Sequence, residues 1–226
     1  MHNYLHAPMA FLDTISHLSG KSCDSFGVEV KSFGELDRIA EETNNALLSW
    51  QSFHCQLIVL FWMRQFIDLV ELSQKYGPLQ GKRLAEVYRD FYEGIAHLSL
   101  ARDTRQPKWR SLGEEAVTKV LQLENLSKWN HENKSKLLQA ELHYVDGDLE
   151  SAETNYKAAI RSAREHKFES EEALAHELYG IFCVENKMVD EGIKQLLTAV
   201  DLYKEWGGMG KANEVQLYVD HVKEVK

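Results

Sequence analysis

The feature of this sequence that most restricts its fold is an internal repeat with a period of about 40 residues. When residues 138–160 are shifted onto residues 178–200, apolar positions fall on apolar positions and small residues fall on small residues. The small residues carry the most weight, because two antiparallel helices can pack closely only where the side chains at their crossing are small. They are Ala140, Ala152 and Ala159 in the first copy, and Gly180, Gly192 and Ala199 in the second.

Large residues between these small ones extend the pattern. Tyr156 and Leu196 occupy the position at which tetratricopeptide (TPR) helix pairs carry a bulky side chain. A degenerate earlier copy predicts that Gly94 takes the role of Ala140 and Ala116 that of Ala152, with an inserted loop at residues 102–110. The sequence therefore predicts an all-α fold, a TPR-like α-solenoid of antiparallel helix pairs with a period of about 40 residues.

Apolar residues at three- and four-residue steps predict helices over most of the chain after residue 33. Residues 1–33 differ, because glycine, serine and aspartate cluster after residue 18 and are typical of turns. We therefore predict a short helix and loop at 1–33 and a helical-repeat domain at 34–226, with residues 49–76 as a candidate further helix pair. The predicted helical segments are 36–50, 57–76, 82–101, 112–126, 134–145, 149–167, 169–185, 189–205 and 210–225, with 129–133 as a short connection.

Composition excludes several classes of protein. The formal net charge of −9 argues against a nucleic-acid binder, which needs a basic surface to displace counterions from phosphates. Cys23, Cys55 and Cys183 are too far apart for a C-x-x-C site, and their odd number does not suit a disulfide framework. With no recognisable signal peptide, we expect a cytoplasmic protein. The most apolar run, residues 57–63, is too short for a membrane span of about 20 residues and predicts a buried helix.

Two glycine-containing segments resemble phosphate-binding loops only in part. Residues 19–22 end in Gly-Lys-Ser, but a phosphate-binding loop needs a further glycine where this chain has Ile15. Gly207 follows an amphipathic helix directly and is expected to be its left-handed C-cap, with the next helix starting at about Gly210. We predict no nucleotide site at either segment and no cofactor.

Metal and catalytic motifs are incomplete as well. Asp146-Gly147-Asp148 suggests a calcium loop, but the glutamate that an EF-hand requires is replaced by Lys157. We expect a turn there instead, with Asp148 as the N-cap of the next helix. The ten histidines include no H-E-x-x-H pattern. The sequence therefore predicts no catalytic, cofactor-binding or metal-ligating residues, and no enzyme activity in this chain.

One stretch of the chain, about 82–212, resembles a known kind of protein region. The residues that carry the resemblance are Leu137-Leu138-Gln139-Ala140-Glu141-Leu142, Gly147, Ala152, Tyr156, Ala159, Ile160, Ala163, Phe168, Glu172-Ala173-Leu174-Ala175, Glu177-Leu178, Ala199, Tyr203, Trp206-Gly207 and Lys211. They are similar to the C-terminal part of the helical-repeat region of large signalling proteins. Those proteins join a serine/threonine-kinase-like domain, an AAA-type ATPase and often GAF and histidine-kinase domains. The resemblance implies a repeat module of such a protein or a free-standing relative, since no kinase, ATPase or phosphotransfer residues are matched.

Repeat stacks of this kind bind partners on a concave surface formed mainly by the first helix of each pair. We therefore expect a module for protein–protein interaction or scaffolding in signal transduction, with a free-standing peptide-binding adaptor as the alternative and an enzyme with an unrecognised site as a third. The expected partner is a peptide segment or a neighbouring domain, apolar or basic in character, with no nucleic acid and no membrane. The sequence does not indicate the oligomeric state. The candidate groove residues are Lys134, Leu137, Glu141, Tyr144, Leu174, Glu177, Ile181 and Glu185.

Overall fold

A computed structural model of the chain describes residues 14, 16, 18–20, 32–76 and 83–225, with the backbone alone for residues 83–87. Within these residues every regular element is helical, which confirms the all-α prediction. Ten helices are delimited in the described part. They are α1 (Phe33–Glu42), α2 (Ala46–Trp62), α3 (Phe66–Tyr76), α4 (Arg83–Thr104), α5 (Pro107–Leu126), α6 (Lys128–Asp146), α7 (Leu149–Glu165), α8 (Glu169–Glu185), α9 (Val189–Trp206) and α10 (Met209–Val225).

The chain divides into two compact units. The first consists of Met1–Pro78 with Gly208–Lys211, and the second of Leu79–Gly207 with Ala212–Lys226. Most of the predicted N-terminal segment 1–33, including most of its short helix, lies outside the described residues. The predicted domain boundary after residue 33 therefore stays a prediction.

In the first unit, α1 packs on α2 and α2 packs on α3. Helix α1 begins after Ser32 because the Ser32 hydroxyl accepts a hydrogen bond from the Glu35 backbone N–H at 3.3 Å, which satisfies one of the free donors of the first turn. A small core joins α1 to α2. It consists of Leu36, Ala40, Leu48 and Cys55, with Phe33 and Ile39 packed against it.

Two residues in the left-handed conformation separate these helices. Asn44 has a φ of 47° and Arg64 a φ of 54°, so the helical pattern between 36 and 76 forms three helices where we predicted two segments. Neither connection contains the glycine or proline that marks a turn in sequence. The predicted buried helix at 57–63 is confirmed through Trp62, because Leu57, Val59, Phe61 and Trp62 are all buried side chains of α2.

In the second unit, consecutive helices from α4 to α9 pack against one another. Helix α6 also contacts α4 and α8, so the first helix of each successive pair touches the first helix of the next. The helices approach each other closely where the small residues lie. A Cβ atom added at Gly192 would lie 2.9 Å from the Gly180 carbonyl oxygen, and one added at Gly94 would lie 2.8 Å from the Ala116 Cβ. Gly94 and Ala116, the small residues assigned to the degenerate earlier copy, therefore face each other across α4 and α5.

The predicted loop at residues 102–110 and the connection at 129–133 are wrong. Helix α4 runs to Thr104 and α5 begins at Pro107, which leaves only Arg105 and Gln106 between them. Proline suits the first position of a helix because its missing N–H has no partner to lose there. Residues 129–133 lie inside α6, whose first turn is supported by a 3.1 Å ion pair between Lys128 and Glu132.

The predicted helix ends around two glycines are confirmed. Gly147 ends α6 with a φ of 79°, and Gly207 ends α9 with a φ of 91°. The Asp148 carboxylate accepts a hydrogen bond from the Ser151 N–H at 3.1 Å and caps α7. Both segments are therefore turns between helices.

Candidate functional site

The structure divides the eight predicted groove residues into a buried group and an accessible pair. Tyr144 is half-buried and Glu185 is exposed, and both line a pocket at the ends of the helices. The other six are buried: Lys134, Leu137, Glu141, Leu174, Glu177 and Ile181. Their role in binding stays a prediction, and the charged members of the buried group already have partners inside the protein.

Glu141 holds three helices together. Its carboxylate, 1% exposed, forms an ion pair with Arg102 of α4 and accepts a 2.5 Å hydrogen bond from the Tyr156 hydroxyl of α7. Burial disfavours the charged guanidinium of Arg102, but the adjacent Glu141 outweighs this effect and raises the pKa of Arg102. Burial and Glu141 also raise the pKa of Tyr156, so its hydroxyl remains a donor. Sequence spacing does not indicate this contact, because Arg102 and Glu141 are distant in the chain.

Lys134 and Glu177 are similarly engaged. The Lys134 ammonium lies 2.8 Å from the Glu171 carboxylate, and it also donates to the Asn130 carbonyl at 3.1 Å. The Tyr203 hydroxyl donates a 2.7 Å hydrogen bond to Glu177. These carboxylates and this ammonium therefore support helix packing in the second unit.

The accessible feature is a pocket, which we call the helix-end pocket, with a volume of about 580 Å³. This volume lies within the range of about 300–1,000 Å³ typical of ligand sites. The pocket is bounded by the last turns of α4, α6 and α8 and by the first turn of α5. Its lining residues are Ala101, Arg102, Asp103, Arg105, Gln106, Pro107, Arg110, Tyr144, Val145 and Glu185.

An aromatic ring forms one wall of the helix-end pocket. The Arg102 guanidinium lies 4.7 Å from the centre of the Tyr144 ring, and the Tyr144 hydroxyl donates a hydrogen bond to Glu185. The Phe182 ring meets Tyr144 edge-on at 4.9 Å between centres. Burial and the Glu185 carboxylate raise the pKa of Tyr144, which keeps the hydroxyl protonated at neutral pH.

The remaining charges at the pocket differ in how fully they are paired. Arg110 donates to both Asp146 oxygens, at 2.6 and 2.9 Å, and to Glu114 at 2.8 Å. Within the described residues, Arg105 and Asp103 make no ion pair. Arg105 is exposed and holds a left-handed φ of 53° between α4 and α5. Among the described lining residues, the pocket thus presents one unpaired cation and two accessible carboxylates, Asp103 and Glu185.

The structure also locates the motifs considered for metal and nucleotide binding. Residues 146–148 form the turn described above, and Gly207 is a helix cap, so each has a structural role. Lys21, Ser22 and Ile15 lie outside the described residues, and the prediction for that segment is untested. Across the described ranges, no group of three or more His, Cys, Asp and Glu side chains has a geometry that would hold a metal ion.

Cys55 and Cys183 are both buried, and neither forms a disulfide within the described residues. Burial raises the pKa of the Cys183 thiol to about 11, so the reactive thiolate is scarce at neutral pH. None of the helices in the described residues is both long and apolar enough to span a membrane.

Comparison of the chain with models of protein families found no match. Comparisons with curated proteins and with solved structures also found none.

Proposed function

We propose that this chain is a TPR-like helical-repeat module that binds a segment of a partner protein and carries out no chemistry of its own. The observation that carries the proposal is the helix-end pocket, which is built from the ends of three successive first helices, α4, α6 and α8. Stacked repeats place equivalent parts of successive first helices side by side, and such surfaces are where repeat proteins bind their partners.

The spacing of the helices supports the repeat part of the proposal. Helices α7 and α9 begin at Leu149 and Val189, and helices α8 and α10 begin at Glu169 and Met209. Both intervals equal the period of about 40 residues expected from the small residues. The contacts of α6 with both α4 and α8 are those expected when each pair packs onto the next.

The resemblance of residues 82–212 to the repeat region of signalling ATPases and histidine kinases supplies the proposed setting, a scaffold within or related to such a protein. The gene's reading frame tests this part. An ATPase or kinase domain encoded in the same frame supports the setting. A stop codon directly after Lys226, with no such domain upstream, overturns it and leaves a free-standing adaptor.

A peptide-library selection tests the binding function and does not require the partner to be identified first. The purified chain is immobilised and exposed to a phage-displayed library of random peptides about twelve residues long, a length that covers one recognition segment. We expect related sequences to be enriched, and we expect the variant Gln106→Trp to lose them, because an indole at this exposed lining position fills the helix-end pocket.

Gln122→Trp is the matched control, since Gln122 is an exposed residue about four turns further along α5. Enrichment that is equal on the parent and on Gln106→Trp would overturn the location of the site. A selection that enriches nothing, or ATP turnover that rises in proportion to the amount of purified chain, would overturn the binding function itself.

A further inference from the structure

We propose that the helix-end pocket receives a cationic side chain, arginine or lysine, from a basic segment of the partner. This inference rests on the proposed function and specifies the chemistry of the partner at that same site. It follows from the direction of the helices around the pocket and from the pairing of the charges that line it.

The helices around the pocket favour a positive charge. The lining residues of α4, α6 and α8 belong to their last turns, whereas α5 alone contributes its first turn. A helix C-terminus carries a partial charge of about −0.5, and this field extends over roughly the last turn. Three C-termini and one N-terminus at one pocket therefore contribute a net negative partial charge to it.

The side-chain charges also favour a positively charged occupant. Arg102 and Arg110 are already ion-paired, Arg102 with the buried Glu141, and Arg110 with the carboxylates of Asp146 and Glu114. Among the lining residues that the structure describes, the charged groups without an ion-pair partner are two carboxylates, Asp103 and Glu185, and one cation, Arg105. Because the Glu185 carboxylate receives a hydrogen bond from Tyr144 on one oxygen, it is held in place for a second donor.

The positive charge of Arg105 opposes a cationic occupant. The direction in which binding affinity changes when this charge is removed therefore tests the inference. If the occupant is a cation, Arg105 repels it and its removal strengthens binding. If the occupant is an anion, Arg105 attracts it and its removal weakens binding. Arg105→Asn removes the charge at little cost to the backbone, since asparagine tolerates the left-handed φ of 53° better than other non-glycine residues.

The experiment uses three synthetic tripeptides and the full chain. N-acetyl-Leu-Arg-Leu-amide is compared with the neutral citrulline analogue and with the glutamate analogue, and each dissociation constant is measured by NMR titration of the isotope-labelled protein. We expect the arginine peptide to bind most tightly and to shift resonances of residues 101–110, 144–145 and 185.

The protein variants separate the contributions. Glu185→Gln and Asp103→Asn should each weaken the arginine peptide by about two- to fivefold, the range expected for one accessible charge pair. Arg105→Asn should strengthen it by a similar factor. The control Glu165→Gln, an exposed carboxylate at the C-terminal end of α7, should leave it unchanged. Equal urea midpoints for all variants exclude a loss of folding.

Three results would overturn the inference. They are tighter binding of the glutamate peptide with weakening by Arg105→Asn, equal affinity for the arginine and citrulline peptides, and the absence of any shift at the pocket residues. None of these results decides the binding function, which the library selection tests separately. Non-basic peptides that bind the parent chain and do not bind Gln106→Trp would still support the binding function.

Discussion

At the scale of single residues, the packing of the second unit depends on glycines at a helix crossing. At Gly180 and Gly192, α8 and α9 lie so close that a methyl group on either glycine would collide with the opposite helix. A glycine in a helix interior costs up to about 1 kcal/mol relative to alanine, so its presence at a crossing indicates that the close approach matters more.

The variant Gly192→Ala tests this balance. The added Cβ would lie 2.6 Å from the Val184 side chain and 2.9 Å from the Gly180 carbonyl oxygen, and a backbone atom cannot move aside alone. We expect a loss of about 1–3 kcal/mol in the free energy of unfolding, measured by urea denaturation. The control is Gly34→Ala in α1, where the new Cβ has nothing within 4 Å, and which should be neutral or stabilising. Equal effects of the two substitutions would contradict this explanation.

A buried histidine makes the second unit sensitive to acid. The Arg164 guanidinium can only donate, so His176 Nε2 accepts from it at 3.2 Å, while Nδ1–H donates to the Gln195 amide oxygen at 2.5 Å. The imidazole is therefore neutral in the folded chain, with Glu172 3.9 Å away. Burial lowers the pKa of His176 below its usual value of 6.5, although Gln195 and Glu172 act in the opposite direction.

The sign of the pH dependence follows from this lowered pKa. Below pH 6.5 the unfolded chain binds a proton at His176 that the folded chain resists, so the contribution of the neutral His176 to stability is full above pH 6.5 and is lost on acidification. We expect His176→Gln to lose less stability than the parent between about pH 7.5 and about pH 5.5, measured by urea denaturation. The exposed His221→Gln serves as control, and an identical loss in His176→Gln and the parent would contradict the prediction.

At the scale of helices, the sequence predicts the elements better than their ends. Helix α8 is predicted with both ends correct, because a continuous apolar pattern runs through Glu169–Glu185. The errors arise where the usual signals are absent or ambiguous. Pro107 lies in a predicted break but starts a helix, and the residues that reverse the chain at several other connections are not glycines but Asn44, Arg64 and Lys187 in the left-handed conformation.

Contacts between helices that are distant in sequence are not predictable in this way. The Arg102–Glu141 pair joins α4 to α6, and its Tyr156 partner adds α7. Period and spacing indicate which face of a helix is buried, but they do not indicate which buried carboxylate meets which guanidinium. The helix-end pocket depends on the same long-range geometry, so of its lining residues only Tyr144 and Glu185 are among the predicted groove positions.

A double-mutant cycle measures this pair. Glu141→Leu leaves the largely buried Arg102 without its partner, and Arg102→Leu leaves the buried Glu141 unpaired, so each single change should cost about 3–5 kcal/mol of unfolding free energy. The double variant buries no unpaired charge and should cost much less than the sum of the two. Urea denaturation of the four proteins gives the coupling energy, and additive losses would show that the pair does not act as a unit.

At the scale of the whole chain, the ends of several helices form an accessible pocket. The last turns of α4, α6 and α8 lie together, and the pocket between them carries two accessible carboxylates and, among its described lining residues, one unpaired arginine. The central claim is that a partner segment binds there.

Hydrogen–deuterium exchange of the full chain, with and without a saturating amount of the most enriched library peptide, tests this claim most directly. We predict slower exchange in the peptide complex at residues 101–110, 144–148 and 185–188, and the loss of this protection in Gln106→Trp. Protection confined to other parts of the chain, with these three segments unchanged, would contradict the claim.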